Sequence, residues 1–254
     1  MNRFLKKLRR DCCCRKTKDN YAYARAQQKY AELNRTKDPD KFQVRADLHV
    51  HTIYSRDSVI TPKELVFYAK KRGLTAVAVT DHNQIRGAQK IAKETDFLVI
   101  PGTEVSSLNG HIVGLDVQEE IPKGLTPQET VDRIHQAGGV AIACHPFALF
   151  KGSVGKHVTA KFDAVETINS SGFPFRSSAE KANQLADTLR LPKVAGTDAH
   201  YGPVIGCAYT LIDAEPTVDA LLNGIVNGRC SPLGGSLPFA LRVQNQFRFL
   251  KKYF

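Results

Sequence analysis

Short apolar segments recur along this chain, and a histidine, aspartate or glutamate follows most of them. The segments are near-continuous in valine, isoleucine, leucine and alanine, which is typical of parallel strands that are covered on both faces. Helical segments separate them, so strand and helix alternate. Because the carboxyl ends of parallel strands meet on one face of a barrel, the sequence predicts an α/β barrel whose rim collects metal-ligating side chains.

The candidate ligands follow five predicted strands, at residues 44–48, 75–79, 98–100, 140–144 and 193–196: His49, His51, Asp57, His82, Glu104, His145, Asp198 and His200. His49 and His51 would lie on one face, because alternate side chains of an extended chain point the same way. An H-x-H pair alone is a weak signal, since a histidine near a strand end is often structural. Repetition of the pattern along one chain indicates a metal centre instead.

Two helix starts are well marked in the sequence. Thr61 and Thr126 each precede a proline and lie three residues before a glutamate, which is the arrangement of an N-cap threonine, a first-turn proline and a capping box. The helices that begin there should end near the glycines at 73 and 138. Further helices are expected at about 177–190 and 217–227, and further strands at 112–115, 164–168 and 208–212, for a barrel of about seven strands.

Composition limits the class of protein. The chain's 254 residues, of which 42% are hydrophobic, suffice for one barrel domain. No apolar run approaches the roughly 18 residues that a spanning helix needs, and the first residues lack the apolar stretch of a secretory signal. The six cysteines resemble neither a disulfide framework nor a zinc knuckle. These features predict a cytoplasmic protein.

The net charge of +11 is concentrated at the two ends of the chain. Residues 1–45 hold 14 basic and 5 acidic residues, residues 238–254 hold 4 basic and no acidic ones, and the part between is nearly neutral. We therefore expect a basic helical extension at 1–43, a barrel domain at 44–236 and a basic amphipathic tail at 237–254. The terminal helices either pack on the barrel or bind an anionic partner, such as the inner membrane surface or nucleic acid.

The order of the motifs is itself informative. The chain reads DLHVHT, an aspartate six residues after the second histidine, TDH, a glutamate, HIVG, CHP and GTDAH. This series resembles the PHP family, named for polymerase and histidinol phosphatase domains, over roughly Val44 to Arg229. The resemblance implies a distorted, TIM-like (β/α)7 barrel, a cluster of two or three divalent metal ions, usually zinc, manganese or iron, and hydrolysis of phosphoesters.

The resemblance also implies how the ligands are shared. One metal would be held by His49, His51, Glu104 and Asp198, a second by His111 and His145 with Glu104 as the bridge, and a third by Asp57, His82 and His200. His111 opens an apolar strand, so a buried structural histidine is the alternative reading there. Some relatives have a histidine at the position of Asp57, which leaves the identity of the metal open.

The predicted chemistry follows from such a cluster. Two metal ions that share one water lower its pKa and direct the bridging hydroxide at phosphorus, so we expect hydrolysis of a phosphomonoester or phosphodiester. Asp198 and His200 are the candidates for transferring the proton of the nucleophile or of the leaving group, although binding a metal ion limits the freedom of both side chains to do so. Arg176, predicted to lie in the loop after the strand at 164–168, is the candidate for holding a phosphate oxygen.

Several other polar residues near the motifs have predicted supporting roles. Asp81 is expected to orient a neighbouring ligand such as His82 or His49, and Asp47 is expected to act in the same way. Lys151 and the glycines around it lie in a loop that follows His145 and is a candidate lid over the site. Cys144 is expected to be a buried thiol rather than a nucleophile.

The substrates that fit this prediction are nucleotides, short oligonucleotides and other small phosphorylated metabolites. One alternative is hydrolysis of amide bonds by a similar cluster, but no lysine stands at a strand end, where such enzymes carry a carboxylated lysine. Another is a non-catalytic barrel that binds a membrane surface, but such a domain would be expected to have lost ligands. The substrate, the native metal and the oligomeric state are left open.

Overall fold

The computed structural model describes residues 43–247. The strands are β1 (Gln43–Val50), β2 (Ala76–Val79), β3 (Leu98–Ser107), β4 (Gly110–Leu115), β5 (Val140–Ala143), β6 (Ala164–Asn169), β7 (Lys193–Gly196), β8 (Ala208–Asp213) and β9 (Cys230–Gly234). The helices are α1 (Pro62–Lys71), α2 (Arg86–Glu94), α3 (Pro127–Gln136), α4 (Phe175–Leu189), α5 (Val218–Val226) and α6 (Phe239–Gln246). Short 3₁₀ turns lie at Gly155–His157 and Gly202–Val204.

All nine strands form one sheet in the order β7-β6-β5-β4-β3-β2-β1-β8-β9. β1, β2 and β3 run parallel to one another, as do β5, β6 and β7. β4 is antiparallel to both of its neighbours, and β8 and β9 form an antiparallel pair at the β1 edge. The sheet is therefore mixed, with two parallel halves joined through one reversed strand.

The sheet curls into a nearly closed barrel because its far ends meet. The backbone N–H of Ala195 in β7 donates to Oγ1 of Thr210 in β8 at 2.8 Å, and that hydroxyl lies 3.0 Å from the Ala195 carbonyl oxygen. The thiol of Cys230 in β9 lies 3.5 Å from the carbonyl oxygen of Lys193. The prediction of a distorted α/β barrel is confirmed, with nine strands in the described chain rather than about seven.

The predicted position of Glu104 needs a correction. The sequence placed it after a strand ending at Ile100, but β3 continues to Ser107 and Glu104 lies inside it. The strand is long because its second half pairs with β4 in a hairpin, in register from Gly102 opposite Leu115 to Ser107 opposite Gly110. Glu104 therefore enters the site from the middle of a strand.

Both predicted capping boxes are present. The hydroxyl of Thr61 accepts from the N–H of Glu64 at 3.2 Å, and the carboxylate of Glu64 accepts from the N–H of Thr61 at 3.0 Å. Thr126 starts α3 in the same way. α4, in contrast, begins at Phe175. Arg176 is therefore in the first turn of a helix and not in the preceding loop.

The barrel interior is a continuous apolar cluster made of small and branched side chains from nearly every strand. Its fully buried members include Ala46, Ala78, Ile100 and Ile212, and α5 packs Leu221 against the same cluster. Small residues on facing strands allow the strands to approach closely, so the interior is filled by side chains and is not a channel. This packed floor fixes the strand ends that carry the site.

Residues 1–42 of the N-terminal extension predicted at 1–43, and the last part of the tail from residue 248, lie outside the described residues, and residue 43 already belongs to β1. α6 forms the first part of the predicted tail helix, with the side chains of Phe239 and Phe247 exposed. Within residues 43–247, no helix combines the length and the apolar character needed to cross a membrane. Binding of the termini to a membrane or to nucleic acid stays a prediction.

Candidate metal centre

Nine side chains predicted as ligands converge in one cleft at the strand ends: His49, His51, Asp57, His82, Glu104, His111, His145, Asp198 and His200. Most of them are buried, and Glu104 is only 1% exposed. Eight of them, all but Asp57, contribute to four overlapping groups of potential ligand atoms, one of which also includes the sulfur of Cys144, and each group is compact enough to surround one metal ion. The distances within the cleft show how the groups are connected.

Glu104 lies at the centre, and its two carboxylate oxygens face different histidines. Oε1 lies 2.9 Å from Nε2 of His145 and 3.0 Å from Nδ1 of His111. Oε2 lies 3.2 Å from Nε2 of His51 and 3.5 Å from Nε2 of His49. One carboxylate thus links two pairs of imidazoles, which is the arrangement expected of a ligand that bridges two metal ions.

Asp198 completes the group around His49 and His51. Its Oδ1 lies 3.4 Å from Nε2 of His51 and 3.8 Å from Nε2 of His49. The backbone of Asp198 has a φ of 52°, in the left-handed region, and its N–H donates to the carbonyl oxygen of His49 at 2.8 Å. Such a conformation costs of order 1–3 kcal/mol in a residue other than glycine and persists at sites where geometry is functional.

Asp57 connects two further histidines at the open side of the cleft. Its Oδ2 lies 2.9 Å from Nε2 of His200 and 3.3 Å from Nε2 of His82. His82 also places Nδ1 at 3.1 Å from Oε2 of Glu104. Asp57 is 39% exposed, so this group is the most accessible part of the cluster to solvent.

The antiparallel hairpin explains why His111 belongs to the cluster. Ser106 in β3 pairs directly with His111 in β4, and Glu104 lies two residues from Ser106 on the same face. Diagonal neighbours on one face of an antiparallel pair are within reach of long side chains. The His111 N–H also donates to the carbonyl oxygen of Gly152 at 2.7 Å. The contact with the Gly152 carbonyl is made by the backbone of His111, while its ring faces Glu104. These contacts do not support the alternative of a structural histidine whose ring is paired with a carbonyl.

The hydrogen bonds of three histidines fix which ring nitrogen faces the cleft. Nδ1 of His200 lies 3.0 Å from the carbonyl oxygen of Asp198, and Nδ1 of His49 lies 3.3 Å from Oε1 of Glu166. Nδ1 of His51 lies 3.4 Å from Oγ of Ser55, whose hydroxyl donates to Asp81. Because these partners accept, each Nδ1 donates its hydrogen, and in the neutral ring the Nε2 lone pair points into the cleft.

The surroundings of these Nε2 lone pairs show whether the residues of the cleft are suited to binding metal ions. Nε2 of His200 faces the carboxylate of Asp57, and Nε2 of His49 and of His51 are buried with no hydrogen-bond partner among the described residues. A lone pair that faces a carboxylate is repelled unless a cation lies between them, and a buried polar atom without a partner costs free energy. Divalent metal ions would satisfy both the nitrogens and the oxygens, so the residues fit the group.

The carboxylates also favour protonation of a ligand histidine. Burial disfavours the charged form of His51, but the nearby carboxylates of Asp198 and Glu104 outweigh it and raise the pKa of His51 to about 9. Burial likewise opposes the ionised form of Glu104, but His49 and the other imidazoles around it hold the pKa of Glu104 well below its ordinary value. The carboxylates of the cluster therefore favour positive charge on the groups that face them.

Glu166 is the functional residue that the sequence did not reveal. Its Oε1 accepts from Nδ1 of His49, and its Oε2 accepts from the backbone N–H of His145 at 2.7 Å and from Nδ2 of Asn169 at 2.9 Å. It lies inside β6, only 3% exposed, within an otherwise ordinary strand segment. One carboxylate thus orients a ligand on β1 and the segment after β5.

Asp81 and Asp47 lie outside the cluster, as expected. Asp81 accepts from the N–H of Thr52 at 2.7 Å and from Ser55 Oγ at 2.8 Å, so it orients His51 through Ser55 rather than acting on His82 or His49 directly. Asp47 accepts from the N–H of Thr197 at 2.9 Å and fixes the segment that carries Asp198. Burial raises the pKa of Asp47 to about 6, against the effect of its hydrogen bonds.

Among the described residues that line the cleft, the lysine or arginine is Lys151, and Arg176, the residue predicted to bind phosphate, is not one of them. Lys151 lines the cleft, and its Nζ contacts Oδ2 of Asp198. Arg176 is exposed on α4 and is not among the residues that line the cleft. Its predicted role in binding phosphate stays a prediction.

Cys144 was expected to be an inert buried thiol. It is fully buried, with Sγ 3.5 Å from Oε1 of Glu104. Burial raises the pKa of Cys144 well above its ordinary value, and the nearby carboxylates Glu104 and Glu166 add to the effect. The thiol is therefore held in its protonated form beside the ligands.

Comparison with known proteins places the chain in a family. A family model described as "PHP domain" matches residues 47–149, and a model described as "PHP-associated" matches residues 176–230. An uncharacterized protein of Methanocaldococcus jannaschii is 40% identical over 141 residues, which are 50% of this chain and 82% of that protein. A second uncharacterized protein of the same organism is 31% identical over 180 residues, 65% of this chain and 69% of that one.

A shorter sequence match is to a nuclease. A 5'-3' exoribonuclease of Haemophilus influenzae is 39% identical over 84 residues, 30% of each chain. Among solved structures, a two-domain protein of Bacteroides vulgatus, described as containing a predicted PHP-like metal-dependent phosphoesterase, aligns with a TM-score of 0.64 at 17% identity, over 84% of this chain and 72% of that one. A lesion-specific endonuclease from Pyrococcus furiosus aligns at 0.55 and 16% identity, over 75% and 58%. Both of these structures have the same fold as this chain.

Proposed function

Because the chain belongs to the PHP family, we propose that it is a metal-dependent phosphoesterase that acts on nucleotides, short oligonucleotides or small phosphorylated metabolites. The observation that carries the proposal is the position of Glu104, whose Oε1 faces two histidines and whose Oε2 faces three others. Two or three divalent ions would be held by the three groups of ligands around Glu104, Asp198 and Asp57. When bound, such ions supply an activated water and stabilise negative charge on phosphorus.

The chain's own residues then divide the remaining tasks. Nδ1 of His200 is engaged by the carbonyl oxygen of Asp198, and its Nε2 faces Asp57, so a metal-bound His200 would have no nitrogen left for proton transfer. Asp198 directs Oδ1 toward His49 and His51 and Oδ2 toward the open cleft, where it meets Lys151. We assign to Asp198 Oδ2 the role of accepting a proton from the attacking water or donating one to the leaving oxygen.

Among the candidate substrates, the cleft favours those with a planar group beside the phosphate. Phe150 lines the cleft next to Lys151, is 96% exposed and has a φ of 62°, which is unusual for an aromatic residue. An exposed aromatic ring at the mouth of a charged cleft is suited to stacking on a nucleobase, a contact worth about 1–3 kcal/mol per base. The relatives that act on nucleic acid agree with this preference.

The proposal is tested by measuring, with and without added Mn²⁺, the release of phosphate from monoesters and the cleavage of a dinucleotide to a mononucleotide and a nucleoside. The panel contains nucleoside monophosphates, a dinucleotide and ribose 5-phosphate, which keeps the phosphate but lacks the base. We expect metal-dependent turnover, with kcat/KM for the nucleotides above that for ribose 5-phosphate by roughly tenfold or more. A Phe150→Ala variant should reduce the difference while keeping the turnover of ribose 5-phosphate.

Two results would contradict the proposal. Turnover of amide or cyclic amide substrates in place of every phosphoester would favour the amide hydrolase alternative, since a similar cluster can attack carbon. Failure to bind any divalent ion would favour a non-catalytic binding module.

A further inference from the structure

Lys151 is the side chain by which the loop between β5 and β6 enters the metal cluster. Its Nζ contacts Oδ2 of Asp198, and the side chain is 24% exposed, so it reaches the cluster from the solvent side. Among the described residues that line the cleft it is the one lysine or arginine. A cation here is in direct competition with a metal ion for the negative charge of Asp198.

The backbone of the loop is tied down on both sides of Lys151. The N–H of Leu149 donates to the carbonyl oxygen of Phe173 at 2.7 Å, and the carbonyl oxygen of Gly152 accepts from the N–H of His111 at 2.7 Å. Oγ of Ser153 donates to the carbonyl oxygen of His145 at 2.7 Å. The loop is thus anchored to the segments that carry two ligands, His111 and His145, while the four-carbon side chain of Lys151 has several rotatable bonds through which its ammonium can change direction.

Asp198 has two oxygens with different neighbours. Oδ1 faces the Nε2 atoms of His49 and His51, the position from which a metal ion would be held, while Oδ2 meets the ammonium of Lys151. Like charges a few ångströms apart repel each other, and a divalent ion on Oδ1 would also neutralise the carboxylate that attracts the lysine. The ammonium would then turn to another anion within reach in the cleft.

We propose that Lys151 is a built-in cation with two partners: it holds Asp198 in the metal-free protein, and metal binding transfers it to the phosphate of the substrate. The first half of the proposal concerns metal binding alone, and the second half rests on the proposed function. The same side chain then opposes metal binding and favours phosphate binding. This combination of opposite effects is what distinguishes the proposal from a structural role.

The test compares Lys151→Met with Lys156→Met, a lysine that is exposed in the same loop and makes no contact with the cluster. Titration calorimetry of the metal-free proteins with Mn²⁺ should show that Lys151→Met binds the ion more tightly, by roughly threefold to tenfold, because the competing cation is gone. Inorganic phosphate should bind the Mn²⁺-loaded Lys151→Met protein roughly tenfold more weakly. Lys156→Met should change neither affinity by that amount.

A third variant, Lys151→Arg, keeps the charge and should restore phosphate binding to within a few-fold of the unaltered protein. The proposal is overturned if Lys151→Met weakens both ligands, since that is the result of a disturbed site. It is equally overturned if Lys151→Met and Lys156→Met behave alike, because the effect would then be one of net charge. All of these readouts are binding measurements, so they remain decisive even if no phosphoester is hydrolysed.

Discussion

At the scale of the residue, Glu166 shows how much the centre depends on side chains that touch no substrate. Its carboxylate holds Nδ1 of His49 and the backbone of His145, and so sets the direction of ligands from two strands. Carboxylates that support ligating histidines in this way typically contribute 10-fold to 100-fold to metal affinity. Glu166 therefore belongs to the centre although it is not expected to bind a metal ion.

We predict that Glu166→Gln lowers the affinity for Mn²⁺ by about 10-fold to 100-fold while the protein stays folded. The amide keeps the shape of the side chain but loses the charge that favours donation from Nδ1 of His49. The measurement is a metal titration with circular dichroism as the check on folding. Glu180→Gln, an exposed glutamate on α4, is the matched control and should bind Mn²⁺ normally. Equal affinities in the two variants would remove Glu166 from the centre.

The ligands themselves could be predicted from the sequence because each falls at the end of an apolar segment or in a short motif. Glu166 could not, since a glutamate inside a strand gives no sign of what it faces until β1 and β6 are brought together. From the sequence, Lys151 is expected only to be part of a candidate lid, and Arg176 is the candidate for binding phosphate. Whether a lysine or arginine can bind phosphate depends on the direction of its side chain, and the spacing of residues along the sequence does not show that direction.

At the scale of the element, the β3–β4 hairpin is where sequence and structure differ most. Near-continuous apolar segments favoured parallel strands, but β4 is antiparallel to β3. A signal was present: Asn109-Gly110, a dipeptide typical of hairpin turns, lies between two apolar segments. In the structure the turn itself is Leu108-Asn109, between the paired residues Ser107 and Gly110. α2 was also missed, because Ile85 at its start provides no capping side chain.

Gly196, at the end of β7, packs directly against two residues of the candidate metal centre. A Cβ atom there would lie 2.5 Å from Cβ of His49 and 2.6 Å from Oε1 of Glu166. β7 can approach β1 this closely only because residue 196 has no side chain. The packing of the strands thus sets the position of a ligand.

We predict that Gly196→Ala destabilises the protein by about 1–3 kcal/mol, because the added methyl group forces β7 away from His49. It should also weaken Mn²⁺ binding by roughly tenfold or more, since small displacements of ligands are costly in a preorganised site. Urea denaturation of the metal-free protein and a metal titration measure the two effects. A stable variant with normal metal affinity would show that the strands are free to adjust.

At the scale of the whole molecule, we expect protons and metal ions to compete for the cluster. In the metal-free protein, Asp198 and Glu104 overcome the effect of burial and raise the pKa of His51 to about 9. Below that pH, His51 carries a proton that must leave before Nε2 can bind a metal ion. Lower pH therefore adds a competitor for the site, and higher pH removes it.

The affinity for Mn²⁺ should accordingly rise as the pH increases from about 6 to about 8, with proton release on binding. Calorimetric titrations in buffers of different ionisation enthalpy measure the number of protons released, and we expect at least about one per chain near neutral pH. An affinity that does not change with pH over this range would contradict the proton exchange.

At this scale the positive charge of the two ends of the chain leads to a further prediction. If residues 1–43 and 237–254 guide nucleic acid to the cleft, cleavage of an oligonucleotide should fall by roughly tenfold or more between about 50 and about 200 mM salt. Turnover of a mononucleotide should change much less, because a single phosphate meets few of these cations. Parallel salt titrations with both substrates compare the two, and equal salt dependence would exclude the terminal regions from substrate binding.

The central claim is that Glu104 joins two metal-binding groups into one centre. Elemental analysis of the purified protein, combined with Mn²⁺-dependent phosphate release from nucleotides, tests it most directly when the unaltered chain is compared with Glu104→Gln. The account predicts at least two divalent ions per chain, and loss of both metal and activity in the variant. Full metal content and turnover in Glu104→Gln, or a purified chain that neither contains nor takes up divalent ions, would contradict it.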